Sequence, residues 1–350
     1  MGFIPLGAEK GISIRPKIPM QNLFRMLEYA YDLKSFKLLE GLYECESLRD
    51  FYERIAVILA ERLLLRARSG LYKSYQLEQD DLSYIRGRID INSFIRNPVK
   101  TVTPCTFEEH TADIVDNQIV AWSIYTALRS GICGTWSTPR LHKADRLLRN
   151  TVSLQTFCGV DCIGRQYNRL NSDYEILHKL CRFLLDNNGP TQRIGDRSMV
   201  PFLVDMARLF ERFVAKWLQI HLNQRFELKV QESYTIGERG ALKMEMDLVI
   251  RDRETHEVLC ILDTKYKGHG SVKPADYNQV VAYSDALGCR SAILIYPQPL
   301  RYPFNEKPSK IRVRSATFDI RGDIEIAGRE LLTVLYRSLS FELSTPGNSH

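Results

Sequence analysis

Two acidic residues and a lysine in the last third of the chain carry the clearest chemical signal. In Lys243-Met-Glu-Met-Asp-Leu-Val-Ile250, polar and apolar residues alternate. That pattern predicts a strand with Met244, Met246, Leu248 and Ile250 on one face and Asp247 on the other. Val258-Leu-Cys-Ile-Leu-Asp-Thr-Lys265 opens as an apolar run, the mark of a strand covered on both sides, and ends in Asp263 and Lys265 two residues apart, hence on one face. Residues 251–256 are few and polar, so the two strands should pair antiparallel and bring Asp247 close to Asp263. Carboxylates that converge beside a lysine are costly unless a divalent cation neutralises them. Mg²⁺ suits such a place, because it takes one or two carboxylates together with waters and phosphate oxygens. The chemistry implied is phosphodiester hydrolysis. The cation would activate water, and the ammonium would position or deprotonate that water or offset phosphate charge.

Acid-x-Lys on its own says little, and Asp32-Leu-Lys34 and Glu227-Leu-Lys229 also satisfy it. Asp32 falls in a helical pattern, where residues two apart do not face each other, and is expected to be a solvated surface charge. Glu227 falls in an expected strand with no acid-bearing strand before it, which predicts an edge or exposed face. For Asp263 and Lys265 an ordinary surface salt bridge stays open as the alternative. Glu211 lies at the margin of a helix stripe formed by Leu209, Phe210, Phe213, Val214, Trp217 and Leu218. It could reach a metal or pair with Arg208 or Arg212. Gln279 and Tyr283 stand one helical turn apart and present a polar pair, which is equally compatible with plain helix surface.

The elements that would hold these residues follow from periodicity. Helices are expected at 21–36, 48–69, 116–130, 139–150, 172–187 and 200–223. Between the second and third, residues 71–110 are β-rich, with strands at 71–75, 84–91 and 99–107. The stretch 187–198 is polar and carries Asn187-Asn-Gly-Pro190, the best candidate for a linker. Beyond it come strands at 226–230, 242–250 and 257–265, a helix at 274–287, a strand at 291–296, and further strands at 311–318 and 323–326. The fold class is therefore α/β (α+β). A mixed helical and β-rich region, 1–190, precedes an αβββαβ domain, 198–340.

At 350 residues, 44% of them hydrophobic and 26% charged, the chain has the composition of a folded globular protein of two domains. Its net charge of +6 is compatible with a polyanionic partner. Eight cysteines, with no CxxC pair, read as reduced thiols of a cytoplasmic protein. No stretch reaches the ~20 apolar residues that cross a bilayer. There is no Walker A motif, so any nucleotide motor belongs to another chain.

An αβββαβ unit with Asp247 on its second strand and Asp263-Thr264-Lys265 on its third resembles the PD-(D/E)xK nuclease fold. Over most of its length the chain resembles the McrC subunit family of the McrBC modification-dependent restriction system. The stretches that carry the likeness are Arg15–Ala30, Ile85-Arg-Gly-Arg-Ile-Asp90, Leu209-Phe-Glu-Arg-Phe-Val214, Met246-Asp-Leu-Val-Ile250, Ile261-Leu-Asp-Thr-Lys-Tyr266 and Asp276-Tyr-Asn-Gln-Val-Val-Ala-Tyr283. The resemblance implies that Asp247, Asp263 and the backbone carbonyl of Thr264 bind Mg²⁺ and that Lys265 is the catalytic lysine. Glu211, Gln279 and Tyr283 would support them. It also implies a partner, an oligomeric AAA+ GTPase ring whose hydrolysis the chain stimulates, and a substrate, methylated double-stranded DNA. Residues 1–190 would bind the partner, with the 71–110 insert and its Arg86 and Arg88 as the docking element or else a structural hairpin. Two other readings remain open: a standalone repair nuclease, and a non-catalytic adaptor of an AAA+ ring.

Overall fold

The computed structural model of the chain describes residues 2–5, 11–14, 18–33, 47–96, 101–188, 192–194, 197–199, 202–236, 242–266, 270–307 and 310–343. The chain forms two compact units. One combines Met1, Arg15–Tyr43 and Val204–His350, and the other combines Gly2–Ile14 and Glu44–Leu203.

The first unit contains helix α1 (Met20–Ala30), helix α2 (Met206–His221), strands β1 (Phe226–Ile236), β2 (Leu242–Asp252) and β3 (Val258–Thr264), helix α3 (Pro274–Ala286), strands β4 (Ser291–Tyr296), β5 (Asn305–Glu306) and β6 (Arg312–Thr317), and helix α4 (Ile324–Leu343). From α2 to β4 the order is αβββαβ, as expected. Six strands form one sheet in the order β5-β6-β4-β3-β2-β1. β1, β2 and β3 pair antiparallel, whereas β3, β4 and β6 run parallel. The parallel step from β3 to β4 needs a crossover, and α3 supplies it. Every side chain of β4 is buried, and β3 is buried from Leu259 to Asp263, as a central strand requires. Two apolar clusters tie α3 to the sheet. Val280 joins Ala292, Leu294, Tyr296 and Val313 in one, and Tyr283 joins Met246, Val249 and Ile261 in the other.

Three expectations are corrected in this unit. The helix expected from residue 200 begins at Met206, because Asp205 caps it by accepting from the N–H groups of Ala207 and Arg208. No strand forms at 323–326. Asp323 Oδ1 instead accepts from the N–H of Glu325 (2.8 Å) and of Ile326 (3.1 Å), which starts α4, and Ile324, Ala327, Leu331, Leu335 and Leu339 form its buried stripe. Helix α1, expected in the N-terminal region, belongs to this unit. Its apolar face, with Leu23, Phe24, Met26 and Leu27 buried, packs with α2. Asn22 Nδ2 donates to the carbonyls of Ile320 (2.8 Å) and Gly322 (2.9 Å), and the Tyr29 hydroxyl donates to Glu325 Oε1 (2.7 Å). The helix ends at Ala30, with Tyr31 as its C-cap, so 31–33 do not continue it as expected, and 34–36 lie outside the described residues.

The second unit is built on helices Leu48–Arg68, Val115–Arg129, Thr138–Arg149 and Tyr174–Asn187. Ser47 and Asp50 form a capping box at the start of the first. The β-rich insert is a three-stranded sheet, Ser74–Leu82 and Arg88–Ile89 on either side of Thr103–Thr111, with a short helix at Ile91–Arg96. The strands therefore start a few residues later than the spacing predicts. Of the expected linker, 189–191 and 195–196 lie outside the described residues, and Gln192–Ile194 pairs antiparallel with Arg197–Met199. Among the described residues no helix is long and apolar enough to cross a membrane, and the described cysteines are free thiols.

α4 passes α2 at Gly328, where a Cβ would fall inside contact distance of the Trp217 indole, itself 1% exposed. Replacing Gly328 by Ala should cost ~1–3 kcal/mol through overpacking, although alanine is the better helix former. Urea unfolding followed by tryptophan fluorescence would show the loss, and an unchanged midpoint would contradict so close an approach.

Candidate active site

The antiparallel register of β2 and β3 sets Leu248 opposite Leu262, and Asp247 and Asp263 are the next residues beyond that pair on their strands. Both strands are buried on their two faces here, over Leu248–Ile250 and Leu259–Leu262. Thr264 ties the strands together beyond that point. Its N–H and its hydroxyl both donate to Asp247 Oδ2, each at 2.9 Å. The next residue, Lys265, has its backbone fixed by donation from its N–H to the Ile295 carbonyl (2.9 Å), and its side chain returns to the carboxylates. Lys265 Nζ stands 2.6 Å from Asp263 Oδ2 and donates to Gln279 Oε1 at 3.0 Å. Gln279 Nε2 in turn donates to the Tyr283 hydroxyl at 2.8 Å. The i, i+4 spacing on α3 therefore presents Gln279 and Tyr283 as one linked pair aimed at the lysine.

Burial and neighbouring carboxylates together set the electrostatics of this cluster. Asp263 is 1% exposed, and burial pushes its carboxyl up to about 7, with the neighbouring charge of Asp247 adding to the effect. Glu211 is likewise raised by burial and then by Asp247. Burial alone would lower the Lys265 ammonium. The ion pair with Asp263, helped by the fields of Asp247 and Asp276, outweighs it and leaves Lys265 above the ordinary lysine value. Burial is the larger cause of both acid shifts and the charge of Asp247 adds to each, whereas Lys265 is raised by its acidic neighbours against burial. The pair is not the exposed salt bridge left open above. The exposed alternative is instead realised at Glu227 and Lys229, which meet at 2.5 Å on the edge strand β1. Asp32 lies 3.8 Å from Lys216 with both side chains partly exposed.

Glu211 extends from α2 and accepts from Gln231 Nε2 of β1 at 3.1 Å. Two neighbours of the site escaped the sequence reading. Asp276 is buried in the first turn of α3 and acts on Asp263 and Lys265. Its signal was available, because it stands three residues before Gln279 and so shares its helix face. Gln231 carried no such signal.

Asp263 Oδ1 is buried with no hydrogen-bond partner among the described residues. Among those residues no group of three or more His, Cys, Asp and Glu side chains is gathered tightly enough to hold a metal. Two carboxylates with one unsatisfied oxygen nevertheless fit Mg²⁺, which leaves most of its positions to water and phosphate. Asp247 and Asp263 are the residues that would hold it. Thr264 enters the observed geometry through its N–H and hydroxyl.

The family model for McrBC 5-methylcytosine restriction system components matches residues 1–297. Among solved structures, the chain is similar to one in the refined half-complex from a tetradecameric assembly of Thermococcus gammatolerans McrB AAA+ hexamers with bound McrC. The identity is 19% and the TM-score 0.52, over 91% of this chain and 76% of that one. A second likeness, to the cryo-EM structure of the Thermococcus gammatolerans McrBC complex, has 20% identity over 60% of this chain and 61% of that chain, and its TM-score of 0.39 is too low to bear on the fold. No curated protein matches. With the family model spanning most of its length, the chain belongs to the family of McrBC 5-methylcytosine restriction system components.

Proposed function

We propose that the chain is the endonuclease subunit of a modification-dependent restriction complex, with a PD-(D/E)xK domain that cuts DNA by Mg²⁺-dependent phosphodiester hydrolysis. The observation that carries this reading is the buried, half-unsatisfied Asp263 carboxylate, within the field of Asp247 and beside Lys265 at the end of a central strand. Mg²⁺ bound there would supply a Lewis acid for water and for the phosphate oxygens. The residues of the chain do the rest. Gln279, braced by Tyr283, holds Lys265 in place. A lysine whose ammonium is stabilised by its neighbours acts as a fixed positive charge, so of the roles open to it, offsetting charge on the scissile phosphate is favoured over deprotonating water. Asp263, poised near neutrality, gives up its proton when positive charge arrives.

We assign the unit of residues 2–14 and 44–203 to the partner, an AAA+ GTPase ring like the McrB hexamers of the solved assembly that holds McrC, with stimulation of GTP hydrolysis as its role. The β-rich insert supports this assignment. Tyr75, Leu77, Ile85, Ile91 and Ile95 are all exposed on it, a density of large apolar side chains that marks an interaction surface. A cytoplasmic location fits such a system.

Two experiments follow. The chain, purified with an McrB-like AAA+ partner, should cut methylated DNA when GTP and Mg²⁺ are both present. Asp263→Ala should reduce cutting about a hundredfold or more while the complex still forms. Full cleavage by that variant would refute the assignment, and cleavage by the isolated chain without nucleotide would favour a standalone nuclease. The second experiment uses metal-free protein. The native Asp263 carboxyl holds its proton up to about 7, whereas in the unfolded chain it releases it near ~4. Between those values the native state binds the extra proton, so stability falls as pH rises, by up to ~1.4 kcal/mol per unit. Asp263→Asn should flatten that slope, as should Mg²⁺ added to the wild type. Denaturation midpoints measured from pH 5 to 8 in chelator would decide, and parallel curves for wild type and Asp263→Asn would count against the shift.

A further inference from the structure

Strands β1 and β2 pair in one continuous register, from Leu242 opposite Ile236 to Asp252 opposite Phe226, and a single pair is missing from that ladder: Gln231 opposite Asp247. The cause lies at Gln231. Its φ of 53° is in the left-handed region, which glycine or asparagine adopts readily and a glutamine inside a strand does not. The regularity of β2 fails at the same place. Met246 and Val249, which strict alternation would put on opposite faces, share one buried cluster with Ile261 and Tyr283. Strain of this kind persists only where its surroundings enforce it, and it gathers at functional sites. Here the kinked residue donates its side-chain amide to Glu211 Oε1 on α2 at 3.1 Å. The half-buried Glu211 lies within the field of Asp247.

We infer that Gln231 is a positioning residue for the cation site: its left-handed kink, at the one gap in the β1–β2 ladder, turns its amide onto Glu211 and fixes that carboxylate as a third acid beside Asp247. This rests on the reading of Asp247 and Asp263 as ligands of a hard divalent cation. Asp247 and Asp263 would hold the cation, Glu211 would reach it through a bound water, and Gln231 acts only through Glu211. The backbone strain and the amide have separable effects. Glycine relieves the strain and deletes the amide, while asparagine tolerates the left-handed backbone but holds its amide one methylene short of Glu211.

The test is calorimetric titration of the full chain with Mg²⁺ alone, beside the melting temperature of the metal-free protein. Gln231→Gly and Gln231→Asn should each weaken Mg²⁺ binding about tenfold, the scale for losing a group that orients a metal ligand, with melting temperatures unchanged or raised. Glu211→Gln should weaken binding as much. The double variant Gln231→Gly/Glu211→Gln should lose no more than Glu211→Gln alone, because the amide has no other route to the cation. Asp263→Asn should abolish binding. Wild-type affinity in both Gln231 variants, additive losses in the double variant, or a lowered melting temperature with affinity intact would overturn the inference. If Asp263→Asn still abolished binding in that case, the cation site itself would stand. A wild-type chain that binds no Mg²⁺ would overturn the inference and the nuclease reading together.

Discussion

Two like charges confined at a buried strand end, with one lysine to balance them, are the constraint around which the C-terminal unit is arranged. Asp247 and Asp263 lie just beyond the Leu248–Leu262 pair on two antiparallel strands, and water, which would ordinarily screen them, is excluded from Asp263. Burial raises the Asp263 and Glu211 carboxyls and the charge of Asp247 adds to both shifts, while the acidic neighbours of Lys265 raise it against its own burial. What the fold provides is rigidity enough to keep the charges together. β3 is covered on both faces, β4 is wholly buried beside it, and the Thr264 N–H and hydroxyl pin one of the two carboxylates.

The surrounding elements each limit one degree of freedom of the cluster. α3, docked through Val280 and Tyr283, sets Gln279 at the distance from which it can orient Lys265. α2, buried through Phe210, Phe213, Trp217 and Leu218, brings Glu211 to the edge of the site. α1 and the start of α4 brace α2 from behind, through the contact of Tyr29 with Phe213 and the bonds of Glu325 to Tyr29 and Trp217. The family assignment, reached from residues 1–297, and the fold shared with one chain of the Thermococcus gammatolerans assembly are consistent with a unit of this design.

Much of this was legible in the sequence, for identifiable reasons. The run Leu259–Leu262 ending in Asp263 could only be a central strand, and a short polar turn before it made the antiparallel partner almost obligatory. Gln279 and Tyr283 followed from helical spacing. Other features were not legible. Asp323-Ile-Glu-Ile326 alternates like a strand, and only the cap at Asp323 and the longer spacing of Leu331, Leu335 and Leu339 make it a helix. An amphipathic helix declares that it must be buried but not against what, so α1 was placed with the wrong neighbours. A left-handed glutamine leaves no mark in a sequence at all, since nothing in residue type distinguishes Gln231 from the regular strand around it.

The proposed role of Asp247 and Asp263 is to hold a divalent cation between them. Crystals of the full chain grown or soaked with Mn²⁺, with diffraction collected on both sides of the manganese absorption edge, test it most directly. The account predicts an anomalous peak within coordinating distance of Asp263 Oδ1 and of the Asp247 carboxylate, with Lys265 still on Gln279. Anomalous density absent from that position at saturating Mn²⁺, with Asp263 closed onto Lys265, would contradict it.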